Sequence, residues 1–222
     1  MPTRYDLSHK VLTNFKFQRW KQRVESNGNT IKNIEILATI SRDQVNLFLA
    51  FLDCQLVTPE GREIPRCVII GGDSVVIIPV FTCHDDGEIY TLMVEQRRII
   101  DGDYAREFPA GTDDLLGECP HLMACQEVQE ELHLSVAPDE LIPLAPVKVV
   151  SSLLDGLVHY FYFQRDVSLS FLKRFEGLST GCNEEHEYIQ VRVVKMSEVV
   201  DCMTSSALIG IKLLERAMNR YF

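Results

Sequence analysis

The stretch Glu107-Phe108-Pro109-Ala110-Gly111, followed by Glu118 and then by Gln126-Glu127-Val128-Gln129-Glu130-Glu131-Leu132, decides how this chain is read. Between 119 and 133, Ala124, Val128 and Leu132 fall on one stripe, the spacing of an amphipathic helix. On that helix Glu127, Glu130 and Glu131 are related by i, i+3 and i+4 and share a face. Like charges so placed repel by a few tenths of a kcal/mol per pair, roughly. Two of them also sit toward the helix C-terminus, where the dipole disfavours negative charge. A hard divalent cation removes both penalties. Mg²⁺ takes oxygen ligands and commonly works beside substrate phosphates, and a bound metal can activate water and neutralise phosphate charge. An E-x-x-E-E run alone is most often a solvated face. Glu118, at the start of the same helix after a turn holding Gly111, Asp113, Asp114 and Gly117, adds the further acid that a solvated face does not require.

Outward from this segment, apolar runs and turn residues mark strands at Ser74 to Thr82, Glu88 to Gln96, Leu144 to Val150, Leu157 to Gln164 and Glu187 to Val194. A short helix is predicted over Ser168 to Phe175, and a last helix from about Ser205 to Arg220 with Leu208, Ile211, Leu214 and Ala217 on its apolar side. Toward the N-terminus, Val11, Leu12, Phe15, Trp20 and Val24 predict a helix over 11–24, ended by Asn27-Gly28-Asn29. β-prone runs follow at Ile34 to Ile40 and Leu47 to Val57, and Pro59-Glu60-Gly61 reads as a hairpin turn into Glu63 to Ile70. Strands dominate and helices do not alternate with them. The pattern predicts an α+β fold with a mixed sheet, organised as a helical and β-rich appendage over 1–70 and a main domain over 71–222.

Composition narrows the function. The 222 residues carry 22 basic and 32 acidic side chains, a formal charge of −10. A general nucleic-acid binder wants a basic face, so that role is not expected. No apolar run has the length of a membrane-spanning helix, and Met1 to Lys10 shows neither a signal-peptide core nor an obvious transit peptide. The seven cysteines are odd in number, irregular in spacing and without a C-x-x-C pair, which predicts reduced thiols and a cytoplasmic location.

The segment from Gly111 to Leu134 resembles the Nudix box, G-x5-E-x7-R-E-U-x-E-E-x-G-U with U apolar, and is in register from Glu118 onward. The preceding Glu-Phe-Pro-Ala-Gly is also typical of these hydrolases. Val94-Glu95-Gln96-Arg97-Arg98 is similar to the V-E-Q-x-R strand of the ADP-ribose and ADP-sugar diphosphatases. Thr180-Gly181 and Glu185-His186-Glu187-Tyr188-Ile189 are similar to their C-terminal acidic loop and the strand after it. The resemblance covers about residues 12 to 220 and implies a Nudix-type α/β/α sandwich with an N-terminal β-rich appendage.

The same resemblance implies a reaction. A metal-dependent hydrolase would cut the diphosphate of a nucleoside diphosphate sugar into a nucleoside monophosphate and a sugar phosphate. Mg²⁺, with Mn²⁺ as a substitute, would be held by the Ala110 carbonyl, Glu127 and Glu131, with Glu130 as a further or water-mediated ligand. Glu118 would support the cluster and Glu187 would be a distal ligand. Glu185 stands where the family has a proposed general base. Arg98 is the first choice for the substrate diphosphate, ahead of Arg97 and Arg106, because a planar guanidinium can bind two phosphate oxygens. Glu107 would contact substrate or brace the box. Relatives of this branch are homodimers with exchanged N-terminal elements, so a homodimer is expected.

The sequence departs from the family pattern at four places. Six residues, not five, separate Gly111 from Glu118; Gln126 replaces the box arginine; His133 replaces the box glycine; and Gly156, in Ser151-Ser152-Leu153-Leu154-Asp155-Gly156, replaces a loop glutamate. The box glycine position commonly needs φ > 0, which His adopts at modest strain. The replaced groups leave open an alternative of another class, a Nudix-fold nucleotide-binding or regulatory module with little turnover. An RNA-end hydrolase is a weaker reading, because no basic or aromatic platform for RNA stands out.

Overall fold

A computed structural model describes residues 4–41, 47–113, 119–181, 188–202 and 204–222, with side-chain surroundings from residue 9 onward. The chain divides into two compact units. One comprises 1–74, 112–118 and 147–158, the other 75–111, 119–146 and 159–222.

In the first unit two helices, α1 (Arg4–Thr13) and α2 (Phe15–Ser26), precede a three-stranded antiparallel sheet in the order β1-β2-β3. The strands are β1 (Thr30–Ser41), β2 (Leu47–Val57) and β3 (Glu63–Ile70). The single helix predicted over 11–24 is broken at Asn14. That residue is extended (φ −68°, ψ 141°) and its side chain accepts the Lys16 N–H at 2.9 Å, an N-cap that starts a new helix. The break resets the helical phase. Phe17 and Trp20 are buried with Val11 against Leu47, Ala50, Leu52 and Cys54 of β2, while Leu12 is left exposed. The hairpin turn forms as read: Gly61, at φ +78°, donates to the Thr58 carbonyl, and Thr58 N–H donates to Arg62.

An ion-pair network closes this unit. Arg19 and Arg23, one turn apart on α2, donate to Asp73 at 3.0 Å each. Arg19 also donates to Asp113 at 3.1 Å, and Arg23 to Asp155 at 3.2 Å. The Asp155 carboxylate also accepts the Gly71 and Gly72 N–H groups. Burial pushes the pKa of Asp155 up, against the pull of those N–H groups and of Arg23.

The second unit holds a sheet whose described strands run β10-β11-β5-β4-β9-β8, with β6 on β5 and β7 on β4. In chain order they are β4 (Ser74–Cys83), β5 (Ile89–Arg97), β6 (Tyr104–Glu107), β7 (Ala110–Thr112), β8 (Ile142–Val147), β9 (Val158–Val167), β10 (Ser179–Thr180) and β11 (Ile189–Lys195). The pairs β4/β5, β5/β6, β5/β11 and β10/β11 are antiparallel. β4 and β9 are parallel: Ser74 N–H bonds to Leu157 and His84 N–H to Val167, so the offset is the same at both ends. The sheet is therefore mixed.

Period-two alternation along β4 sends Val75, Ile77 and Phe81 to one face, where Leu92, Val94, Phe163 and Val191 join them in the core. Helix α3 (Pro120–Leu132) covers that face with Ala124, Val128 and Leu132. The other face carries α5 (Ser205–Met218), whose Gly210 lies so close that a Cβ would meet Ile78 and Phe108 at 3.2 Å. The layers are those of an α/β/α sandwich. The buried stripe of α5 is Ala207, Gly210, Ile211 and Leu214; Leu208 and Ala217, expected on it, are exposed. Small residues win the inner positions because the helix approaches the sheet closely. Helix α4 (Leu169–Leu172) is shorter than the predicted 168–175 segment and starts on the side-chain cap of Ser168.

Candidate active site

Helix α3 begins after Cys119, with Pro120 at its first turn, and ends at His133. His133 is left-handed, φ 51° and ψ 33°, and its N–H closes on the Gln129 carbonyl at 3.1 Å. The cap expected at the replaced box glycine is thus formed by a histidine.

The helix distributes its three carboxylates unequally. Glu131 is only 5% exposed, Glu127 is half-buried, and Glu130 faces solvent. Glu131 is turned toward the strand end that precedes the box: its Oε2 accepts the Ala110 N–H at 3.0 Å. The Thr180 hydroxyl of β10 donates to the Glu131 carbonyl at 2.6 Å. Glu127 lies against Gly111, so close that a Cβ there would stand 1.7 Å from Glu127 Oε1 and 2.1 Å from its Cδ. A side chain at residue 111 would displace the Glu127 carboxylate. Phe108, fully buried, and the Pro109 carbonyl, which accepts the Ile77 N–H at 2.9 Å, fix the same strand end from the other side. Two carboxylates therefore converge on the Ala110-Gly111 backbone.

Glu118, Glu185 and Glu187 lie outside the described residues. Among the described residues no three His, Cys, Asp or Glu side chains gather at a spacing that would hold a metal ion. What the described part offers is a donor set made only of oxygen, from Glu127, Glu131 and the Ala110-Gly111 backbone, which suits a hard cation such as Mg²⁺.

Arg98 and Glu107 are brought together. The guanidinium donates from Nε at 3.1 Å and from Nη2 to one oxygen of Glu107, leaving Nη1 without a partner among the described residues. Arg97 and Tyr104 are directly opposite on β5 and β6, with the guanidinium 4.4 Å from the ring centroid. Adjacent arginines thus go to different partners, as strand geometry requires. Arg106 sits opposite Glu95 and donates to it at 2.7 Å, and Arg192 of β11 donates to the same carboxylate at 3.0 and 2.6 Å. Burial raises the pKa of Glu95, but the hydrogen bonds from Arg106 and Arg192 outweigh it and hold the group below the ordinary carboxylate range. Sequence reasoning missed this triad. Its signal lies in strand register, because Glu95 and Arg106 become neighbours only when β5 and β6 pair.

No family model matches the chain. It is similar to "Nudix hydrolase 14, chloroplastic" of Arabidopsis thaliana, 24% identical over 200 residues, covering 82% of this chain. The chain spans 64% of the length of that relative. Among solved structures it is similar to the "Crystal structure of ADP compounds hydrolase", with a TM-score of 0.58 and 15% identity, covering 86% of this chain and 94% of that one. The sandwich is the Nudix-type fold. The box-like stretch and its helix docked on Ala110-Gly111 are features this chain has in common with the Nudix pattern, to which its curated relative's name also points.

Proposed function

We propose that the chain hydrolyses the diphosphate bond of a nucleoside diphosphate sugar, ADP-ribose or an ADP- or UDP-sugar, to a nucleoside monophosphate and a sugar phosphate. The observation that carries this reading is the docking of the box helix on the strand end before it. Glu131 is bonded to Ala110, and Glu127 is packed on Gly111. Such docking costs desolvation of acidic groups, and a cation bound at their oxygens offsets that cost.

Mg²⁺, or Mn²⁺ in its place, would be held by the Ala110 carbonyl, Glu127 and Glu131, with Glu130, Glu118 and Glu187 completing or supporting the set. When bound, the metal supplies charge neutralisation on the phosphate oxygens and a more acidic water. The chain's own residues do the rest. Arg98, held in place by Glu107, presents Nη1 to a phosphate oxygen, and the charge-assisted hydrogen bond orients the diphosphate. Arg97 and Arg106 contribute to the positive field, each already committed to a neighbour. Glu185 takes the proton of the attacking water. A homodimer and a cytoplasmic location complete the proposal. Six free cysteines among the described residues suit a reducing compartment, and no described helix is long and apolar enough to cross a membrane.

The test is product identity. With ADP-ribose and Mg²⁺, chromatography is expected to show AMP and ribose 5-phosphate in equal amounts. Release of ADP and free ribose would place the cut elsewhere and overturn the reading.

A further inference from the structure

The first unit contains a cavity of about 450 Å³ that the proposed reaction does not use. Its walls are more apolar than polar, with Trp20 and Val24 from α2, Leu56 and Ile64 from the β2–β3 hairpin, and Leu153 and Leu154 from the 148–155 segment. Ile64, Leu153 and Leu154 are well exposed, Leu154 by 43%, so a monomer leaves this apolar surface in contact with water. The volume is in the range of small-molecule sites.

The charges around the cavity are one-sided. Asp155, its one acidic side chain among the described residues, is fully buried and already satisfied by Arg23 and the Gly71 and Gly72 N–H groups. Arg66 and Lys148 also line it. Arg66 donates to the adjacent Pro65 carbonyl, and neither cation faces a carboxylate among the described residues. A largely apolar cleft rimmed by two uncompensated cations is complementary to an organic anion: an aromatic or aliphatic body enters, and its sulfonate, carboxylate or phosphate stays at the rim. We propose that this cavity is a binding site for a small organic anion with an aromatic body, separate from the substrate of the hydrolase reading and independent of turnover.

Trp20 is the sole tryptophan of the chain and lines the cavity, so its emission reports occupancy. The probe is 8-anilinonaphthalene-1-sulfonate, added to the full-length protein at neutral pH while Trp20 fluorescence is followed. The expected result is saturable quenching with energy transfer to the probe. The uncharged N-phenyl-1-naphthylamine should bind about tenfold more weakly, and so should the probe to the Arg66→Glu/Lys148→Glu variant. If that variant fails to keep the wild-type melting temperature, wild-type protein at about 0.5 M salt replaces it and should show the same weakening through screening. Absence of saturable quenching overturns the proposal, as does equal affinity for the charged and uncharged probes. Competitive displacement of the probe by ADP-ribose overturns it as well, because the cavity would then belong to the substrate. A chain that turns over no nucleotide but passes the probe test keeps this inference while losing the hydrolase reading.

Discussion

Glu131 and Ala110 are twenty-one residues apart in sequence and joined by a hydrogen bond of 3.0 Å from the Ala110 amide to Glu131 Oε2. This bond and the buried stripe of Ala124, Val128 and Leu132 together set the rotation of the box helix. With Glu131 turned inward, Glu127 falls on Gly111 and Glu130 is left in solvent. Three acidic residues that look equivalent on a helical face thereby acquire different surroundings.

The contact at Gly111 makes a sharp prediction. Gly111→Ala would put a methyl 1.7 Å from Glu127 Oε1, so the Glu127 carboxylate must swing away from the strand end. Only the side chain of Glu127 need move, so the stability cost is about 1 kcal/mol, the low end for overpacking. Turnover of the best substrate should fall by about 100-fold or more, since misplacement near 1 Å carries such losses. Thermal unfolding and kcat measured on one preparation check both numbers.

His133 occupies a left-handed position that a glycine fills more easily. His133→Gly should stabilise the folded chain by about 1 kcal/mol, the scale of the Cβ penalty in that region. A shift of the urea midpoint to higher concentration, with an unchanged slope, is the expected readout.

The Arg23 guanidinium bridges Asp73 and the fully buried Asp155. Arg23→Met keeps the bulk and leaves Asp155 without its cation, so unfolding free energy should drop by about 3 kcal/mol. Lys21→Ala removes an exposed pair with Glu25 at 3.8 Å and should change stability by less than about 1 kcal/mol. Denaturant titration of the two variants beside wild type tests the contrast.

Glu95 titrates below the ordinary carboxylate range because Arg106 and Arg192 stabilise its charge beyond what burial costs. Its folded pKa lies below its unfolded pKa. The stability it contributes is therefore present above the unfolded value, near 4.3, and is lost as pH falls through the folded value. Melting temperature followed from pH 6 down to about pH 3 should fall more steeply for wild type than for Glu95→Gln, which lacks the titrating group.

Much of this architecture was legible in the chain. β2 and β3 occupy the stretches read from alternation and the Pro59-Glu60-Gly61 turn, Leu47–Val57 and Glu63–Ile70. The box helix is found where the Ala124, Val128 and Leu132 stripe put it. The failures share a cause, which is that local pattern cannot report a partner. Asn14 ends one helix and caps the next through a side-chain bond that no periodicity reveals. Leu208 and Ala217 look like core positions until the close approach of α5 to Ile78 and Phe108 selects Ala207 and Gly210. In the site, spacing put Glu127, Glu130 and Glu131 on one face, but their separation into buried and exposed needed the position of Ala110. The pairing of Arg106 with Glu95, and of Arg98 with Glu107, depends on strand register and was invisible in composition.

The proposed metal-dependent cleavage rests on the carboxylates docked on Ala110-Gly111. The most direct test is nucleotide release from ADP-ribose, ADP-glucose, UDP-glucose and a capped dinucleotide, with and without Mg²⁺ or Mn²⁺, for wild type beside Glu131→Gln. Wild type is expected to turn over a sugar nucleotide only with the metal, and the variant to lose on the order of 1,000-fold in kcat, the scale of several kcal/mol of charge stabilisation. Equal turnover by wild type and Glu131→Gln, or no turnover by wild type together with measurable nucleotide binding, would contradict it and leave a Nudix-fold binding module in its place.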